Sequence, residues 1–466
     1  MTAHPESAEP LHGGYPRPDT VQLAYEAVDV NRAVQVYRHF YRSVSGAAVF
    51  EGTVAAGVQP NTVFGHLDTQ PRHVGFTLNS DTPYGVILLD LHDGPMVLDV
   101  PEGSFVGAVM DIHQRWILDF GLPGPDAGSG GTHLILPPGY DGEVPDGHQV
   151  GRAEAFRVLV AVRSIPLDGD VAAALQRITT VGVRPLEESP DWAEPTWVDM
   201  TDAGQDTTPV AIETGIDFWT SLHRVIDAEP VLADSRALYG ELAALGITKG
   251  QPFEPDDRMT RILELAAKTA NLQMRVESFA DRTPGRLVWD DRHWEWVALR
   301  SENGTFDTEN YRDTYALDKW FFQAIATSPA MFRRDAGAGS LYWLALSDRT
   351  GAYLDGSNSY TLTVPLPVPA KLFWSVTLYD AATRSQVRTD QGRAALRSLF
   401  ELSDLDGESV TLHFGPVPPD GDESRWVRTV PGAGWFAYFR IYGPDGPAFD
   451  GSWKPGDLEL VGTGGD

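Results

Sequence analysis

A polar cluster, N-S-D-T at residues 79–82, runs directly into the apolar segment P-Y-G-V-I-L-L-D-L, which predicts a buried strand. If the chain is extended here, Asn79 and Asp81 share one face, because strand side chains alternate with a period of two. An amide and a carboxylate at the mouth of a core strand can serve acid/base chemistry, with Tyr84 beside them as a further proton-transfer group. The structural alternative is an Asx turn, which Asp and Asn often form before a strand.

The segment V-M-D-I-H-Q-R-W places Asp111, His113 and Arg115 on one face by the same rule. If its strand neighbours the first, one surface holds these side chains together with Asn79 and Asp81. We predict that His113 is the base, that a carboxylate orients it and that Arg115 binds an anion or a polarised oxygen. A cross-strand ion pair between Asp111 and Arg115 is the structural alternative.

Aromatic residues suggest where a substrate would bind. The side chains predicted to contact a substrate are Asn79, Trp116, Trp294, Trp296, Tyr360 and Trp374. Mixed aromatic and polar strands are typical of sugar-binding clefts, yet the core of a β-sandwich produces the same pattern.

Metal binding is a second possible chemistry of the N-terminal half. One predicted domain includes His66, His73, His92, His113 and His133, along with the candidate carboxylates Asp81 and Asp111. Two histidines and a carboxylate can bind Fe(II), Zn or Mn, but no H-E-x-x-H motif is present. We predict no metal ligands and no cofactor, and leave a divalent metal open.

Composition excludes several classes of function. The 466 residues carry a net charge of -29, which argues against nucleic acid and an anionic membrane surface as partners. The chain contains no cysteine, so disulfides and thiolate chemistry are excluded. The N-terminus has no secretory signal pattern and no apolar run approaches the roughly 20 residues of a membrane span, so we expect a cytoplasmic protein.

The order of apolar patterns predicts a mainly β fold with a helical insert: two β-sandwich or jelly-roll-like domains joined by an α-helical segment. The predicted parts are a disordered tail at 1–18, a helix plus β domain at 19–210, a helical connecting region at 211–335 and a C-terminal β domain at 336–466.

Local patterns define some elements more finely. Asp19 and Asp256 are predicted helix N-caps. In F-W-S-V-T-L-Y at 373–379, Trp374, Val376 and Leu378 are expected on one face of a strand, and the residues between them on the other.

Several motifs together resemble the DUF1254/DUF1214 family of bacterial proteins, whose name denotes unknown function. The motifs are N-S-D-T-P-Y at 79–84, G-P-M-V-L-D-V-P at 94–101, V-M-D at 109–111, G-I-T-K-G-Q-P-F-E-P-D at 246–256, L-D-G-S-N-S-Y at 354–360, F-W-S-V-T-L-Y-D at 373–380 and a final F-R-I-Y-G-P. The resemblance implies an N-terminal β domain, a helical connection, a jelly-roll-like C-terminal domain and often oligomers. It implies no established reaction.

These observations favour an enzyme that acts on a small organic molecule by acid/base chemistry, of hydrolase, lyase or isomerase type. We expect its pocket between the N-terminal β domain and the helical region. The predicted catalytic residues are Asp81, Tyr84, Asp111, His113 and Arg115. Two alternatives stay open: a non-catalytic module that binds carbohydrate or a partner protein, and a metal-dependent oxygenase or hydrolase. A homo-oligomer is possible.

Overall fold

The computed structural model describes residues 10–71, 75–187, 190, 192–203, 213–297, 304–332, 336–337, 339–421 and 423–461. These residues form seven α-helices and five β-sheets, so the mainly β fold with helices is confirmed. Among the described helices, none combines the length and the apolar character needed to cross a lipid bilayer.

The elements follow the chain in a fixed order. The helices are α1 (Pro18–Ala55), α2 (Val171–Ile178), α3 (Ile216–Ala228), α4 (Arg236–Ala244), α5 (Asp257–Phe279), α6 (Thr314–Gln323) and α7 (Pro329–Phe332). The strands are β1 (Leu11–His12), β2 (Tyr15–Pro16), β3 (Val63–Leu67), β4 (Tyr84–Asp90), β5 (Met96–Val100), β6 (Phe105–Asp111), β7 (Trp116–Gly121), β8 (Gly131–Leu136), β9 (Gln149–Arg152), β10 (Arg157–Ser164), β11 (Gly182–Pro185), β12 (Thr196–Asp199), β13 (Trp294–Trp296), β14 (Ser340–Ala345), β15 (Tyr360–Pro365), β16 (Ala370–Asp380), β17 (Ala395–Arg397), β18 (Ser409–Gly415), β19 (Trp426–Arg428), β20 (Trp435–Pro444) and β21 (Glu459–Leu460).

The described chain divides into two compact units. The first takes its residues from 1–44 and 212–274, and the second from 45–211 and 275–466. The boundaries predicted from sequence, after residues 18, 210 and 335, stay predictions, because a compact unit joins segments that are distant along the chain, whereas periodicity describes only consecutive residues.

Helices make up most of the first unit. The ring of Tyr37 in α1 stacks on Phe218 in α3, with centroids 4.0 Å apart, and the Trp219 indole donates a hydrogen bond to the Leu263 carbonyl of α5 at 2.8 Å. Buried apolar faces of these helices therefore supply the core of the unit.

The predicted helix caps have different outcomes. The Asp256 carboxylate accepts the Met259 backbone N–H at 2.7 Å, as expected for an N-cap. Asp19 lies one residue inside α1, which begins at Pro18, and its charge is placed in the first turn. A carboxylate there still interacts favourably with the positive end of the helix dipole.

The N-terminal β-sandwich in the second unit consists of two sheets. Their strand orders are β12-β3-β4-β10-β6-β7 and β11-β5-β8-β9. Alternate residues of β4 and β10, among them Ile87, Leu89, Val158 and Val160, point into the apolar core between the sheets. The other face of the six-stranded sheet therefore remains available for other contacts.

The C-terminal β-sandwich also belongs to the second unit. Its sheets have the orders β13-β14-β20-β16-β17 and β19-β18-β15-β21. Trp374, Val376 and Leu378 lie in its core, as the alternation predicted. Ser375 and Tyr379 lie on the opposite face of β16, and both are buried by other parts of the second unit.

His133 is a buried histidine on β8 of the N-terminal sandwich. It is fully buried, and neither ring nitrogen has a hydrogen-bond partner within the described residues. Burial lowers the pKa of His133 below its ordinary value of 6.5, although Asp126 and Asp99 partly oppose this shift. Burial therefore favours the neutral form of this imidazole in the folded protein.

We expect His133 to make folding less favourable in acid. The unfolded chain binds a proton at His133 near pH 6.5, whereas the folded chain binds it only at lower pH, so stability is lost as the pH falls below 6.5. In urea titrations over a pH series, His133→Phe should lose less unfolding free energy in acid than the wild type. The control His12→Gln should follow the wild type. Equal acid sensitivity of His133→Phe and wild type would contradict this account.

Candidate functional site

A cavity of about 420 Å³ lies inside the second unit. One wall is the outer face of the six-stranded sheet, with Val86, Ala108 and Ala161 on adjacent strands. The opposite wall is the outer face of the five-stranded sheet, which contributes Tyr342 and Tyr438. The cavity is thus enclosed by the faces that the two sandwiches do not use for their own cores.

Most of the cavity wall is apolar, and helical segments complete it. Phe50 comes from the end of α1, and Trp320 from α6. The lining residues that are exposed include Leu122, Lys371 and Leu372, which marks the opening of the cavity.

Polar side chains converge at one end of the cavity around Arg163. This residue is half-buried at the end of β10, directly opposite Tyr84 of β4 in the sheet. Its guanidinium lies 5.7 Å from the ring centroids of Tyr84 and Tyr442, and it donates a hydrogen bond to the Tyr442 hydroxyl at 3.2 Å. Asn79 joins the group, since its amide nitrogen donates to the hydroxyls of Tyr84 at 2.7 Å and Tyr442 at 3.3 Å.

Arg440 is a second buried cation on the cavity wall. It is 4% exposed and donates to the Thr77 carbonyl at 2.6 Å and to the Tyr379 hydroxyl. The rings of Tyr342 and Tyr438 lie 5.4 Å and 5.0 Å from the guanidinium carbon. Carbonyl, hydroxyl and ring contacts therefore replace water around this charge.

The turn that precedes β4 is built by Asn79. Its side-chain oxygen accepts the backbone N–H groups of Asp81 at 2.9 Å and Thr82 at 3.1 Å. This is the Asx turn foreseen as the structural alternative, but it is formed by Asn79 and not by Asp81.

Asp81 reaches away from its own turn to the C-terminal sheet. Its carboxylate is fully buried and accepts a hydrogen bond from the Ser375 hydroxyl of β16 at 2.9 Å. Burial raises the pKa of Asp81, and the charge of Arg440 and the Ser375 hydrogen bond only partly oppose it. Asp81 is not among the residues that line the cavity.

Further contacts attach the loop at 77–82, here called the docking loop, to the C-terminal domain. The Leu78 carbonyl accepts hydrogen bonds from Tyr379 at 2.8 Å and from Gln386 at 3.1 Å. The Ser80 carbonyl accepts one from Arg397 at 2.7 Å. Backbone carbonyls of the docking loop therefore join the two β domains, in addition to the Asp81–Ser375 hydrogen bond.

Asp111, His113 and Arg115 form the tight connection between β6 and β7. One Asp111 carboxylate oxygen accepts the backbone N–H groups of His113 at 2.9 Å and Arg115 at 3.1 Å. The Arg115 side chain pairs with Glu154 at 2.6 Å, on a different element from Asp111. The predicted strand ends at Asp111, which breaks the shared face, because the next residues turn.

The cavity collects only part of the predicted catalytic set. Tyr84 and Asp111 line it, whereas Asp81, His113 and Arg115 do not. The assignment of catalytic roles to these residues stays a prediction.

The residues predicted to bind substrate are dispersed. Asn79 lines the cavity. Trp294, Tyr360 and Trp374 lie in the C-terminal sandwich core, Trp296 packs against that core, and Trp116 is 37% exposed outside the cavity. The four aromatic residues of the C-terminal sandwich occupy positions expected for core packing, whereas Trp116 is exposed; a substrate-binding role for all five stays a prediction.

The predicted histidines do not assemble into a metal centre where the structure describes them. Within the described ranges, no group of three or more histidine or carboxylate side chains is arranged to bind a metal ion. His73 lies outside the described residues.

Several cavity residues were missed by the sequence reasoning. They are Arg163, Arg440, Tyr442, Asp119 and Ser328. Alternation offered a signal for three of them, because Arg163 follows the core strand V-L-V-A-V, and Arg440 and Tyr442 alternate with core residues of β20. In this protein, Arg163 and Arg440 lie on strand faces that point away from the sandwich cores, at a second surface that other parts of the chain cover.

Comparison with protein families gives two matches. A model described as DUF1254, protein of unknown function, matches residues 61–184, and one described as DUF1214, protein of unknown function, matches residues 339–446. No curated protein matches the chain.

Comparison with solved structures finds one with a similar fold. The chain is similar to the VPA0106 protein of Vibrio parahaemolyticus, at 18% identity and a TM-score of 0.58, over 93% of this chain and 100% of that chain. At this identity the likeness shows the fold alone. A putative uncharacterised protein from Burkholderia cenocepacia aligns at 12% identity over 95% of this chain and 97% of that chain, with a TM-score of 0.39.

Asp81 should make stability depend on pH in a defined direction. Its folded pKa is above the ordinary 3.8, so the folded state holds a proton that the unfolded state has lost, and stability falls as the pH rises through the folded pKa. Asp81→Asn cannot titrate, so its unfolding free energy relative to wild type should increase as the pH rises from 3.8. Urea titrations over a pH series measure this difference.

A matched control is Asp93→Asn, which changes an exposed carboxylate. Its stability relative to wild type should lack the rise with pH that is expected for Asp81→Asn. A difference between Asp81→Asn and wild type that is constant with pH, or that falls as the pH rises, would refute the assignment.

Proposed function

The chain is a DUF1254/DUF1214 domain-containing protein of unknown function, and we propose that it binds a small organic molecule in the cavity between its two facing sheets. One observation carries the proposal: a largely apolar cavity of about 420 Å³ with a few polar groups converging at one end. This volume lies in the range of small-molecule sites, and protein interiors otherwise retain few voids larger than a water molecule.

The origin of the walls supports the same proposal. Each sandwich has its own core, so neither domain needs the cavity in order to fold. Small side chains at Ala108 and Ala161 keep the sheet surface open where larger residues would close it. Two stable domains that leave space between their outer faces form the kind of site found at domain junctions.

Filling the cavity should block binding. Ala161 faces Val86 and Ala108 across the sheet, so in Ala161→Phe the ring would occupy ligand space. We expect the affinity for Nile red, a neutral apolar dye, to fall about tenfold or more, a loss of roughly 1.4 kcal/mol, measured by fluorescence titration. Circular dichroism should be unchanged.

The matched control is Ala172→Phe, at an exposed position of α2, which should bind the dye as the wild type does. Failure of the wild type to bind, or equal binding by Ala161→Phe, would contradict the proposed site.

An acid/base enzyme acting on the bound molecule is the second candidate. The observation that favours it is a hydroxyl–carboxylate pair on the cavity wall, in which Ser328 donates to Asp119 at 2.8 Å. Tyr84 and Asp111, from the predicted catalytic set, line the same cavity. Such groups can give or take protons when a substrate lies within hydrogen-bond reach.

Turnover can be sought without knowing the substrate. Incubation with a cell metabolite extract, followed by mass spectrometry, should show depletion of a compound by the wild type. In Asp119→Asn the depletion should slow about a hundredfold, the usual effect of losing an acid/base group. The control Asp168→Asn, at an exposed turn, should retain the wild-type rate. No depletion by the wild type would leave binding as the supported function.

The cytoplasmic location, a homo-oligomer and a carbohydrate- or partner-binding role stay predictions of the sequence. None of them draws support from the geometry of the cavity.

A further inference from the structure

We infer that the ligand of the cavity is an organic anion, a carboxylate with an apolar body, whose charged end is bound by Arg163 together with the hydroxyls of Tyr84 and Tyr442. This inference rests on the proposed function, because it names the class of molecule that the same cavity would take.

Arg163 brings unused hydrogen-bond donors to the cavity. A guanidinium has five N–H groups, and the described contacts of Arg163 use one of them, to Tyr442. Within the described part of the chain, no carboxylate forms an ion pair with it. A half-buried cation beside apolar walls is stabilised by a counter-charge, and a planar carboxylate matches the guanidinium fork with two parallel hydrogen bonds.

The two tyrosines offer donors of the same kind. The Tyr84 oxygen accepts from the Asn79 amide at 2.7 Å, and the Tyr442 oxygen accepts from Asn79 and Arg163 at 3.3 Å and 3.2 Å. Because these oxygens already accept, their own O–H protons remain to be donated, and no described residue accepts them. Three side chains therefore present only donors, which selects a ligand rich in acceptors.

Where the structure describes the chain, the arginines that act on Asp81 outnumber the carboxylates that could neutralise them, which also favours an anionic ligand. Asp81 is the carboxylate on which Arg440, Arg397 and Arg163 all act, and its proton affinity is increased by burial. Arg397 has its own partner in Glu401, at 2.5 Å. Among the described residues, Arg163 and Arg440 thus share at most one negative charge, and an anionic ligand would complete the pairing.

The rest of the cavity limits the body of the ligand. Beyond the Arg163 end, the lining includes Val86, Leu159, Met110 and Phe50, which bind hydrocarbon or aromatic groups. Among the described residues that line the polar end, none belongs to a glycine-rich phosphate loop or to a helix N-terminus, and this favours a carboxylate over a polyphosphate.

Three matched probes test the inference in the wild-type protein. Decanoate, decanol and decylamine share a chain and differ in the charge of the head group. By isothermal titration calorimetry, decanoate should bind about tenfold or more tightly than decanol, as expected for one charge-assisted interaction, and decylamine should bind most weakly. Equal binding of decanoate and decanol would overturn the anion inference while leaving the proposed function intact. No binding of any probe would refute both.

Two variants test whether Arg163 and Tyr442 cause the preference for decanoate over decanol. In Arg163→Met, decanoate should lose its advantage, while decanol should bind as in the wild type. The control Arg184→Met removes an exposed arginine paired with Asp99 and should preserve the advantage. Tyr442→Phe keeps the ring and removes the hydroxyl, so decanoate should weaken several-fold with decanol unchanged; this variant decides the matter if Arg163→Met fails to fold. Retained preference for decanoate in both variants would show that the anion is bound elsewhere.

Discussion

The buried guanidinium of Arg440 is the contact on which the arrangement of the two β domains depends. It binds the Thr77 carbonyl of the docking loop and the Tyr379 hydroxyl of its own sheet. An arginine removed from water is strongly destabilising unless its donors are satisfied, so loop and sheet must stay together once they have folded. The docking loop continues into β4, and fixing it therefore also fixes Tyr84, at the polar end of the cavity.

Asn79 and Asp81 make different contacts at this junction. Asn79 closes the turn with its side-chain oxygen and holds two tyrosines with its amide nitrogen. The Asp81 side chain is not needed for the turn, and its carboxylate accepts a hydrogen bond from the Ser375 hydroxyl. The polar motif at 79–82 thus contributes contacts that join the two β domains, and Arg163 and Tyr442 line the cavity beside it.

The cavity is a consequence of joining two complete sandwiches. Each sheet has one face in its own core, and the second faces meet where polar contacts hold them and separate where small residues leave room. The donors cluster at the end nearest the docking loop, and the apolar walls extend away from it. For the ligand proposed above, this division predicts one orientation, with its polar end toward Arg163 and its body along the sheets.

The sequence by itself determined the mainly β class, the cap at Asp256 and the core-facing side of β16, because helix ends and strand alternation are local properties of a few adjacent residues. It also placed Asn79 beside a possible turn. Only the tertiary structure decided which buried faces meet, since Asp81 and Ser375 are separated by 294 positions and Thr77 and Arg440 by 363. Strand alternation predicts which side chains point away from the core of a sandwich. It does not predict which distant residues those side chains contact, and the residues of the site are held by such distant contacts.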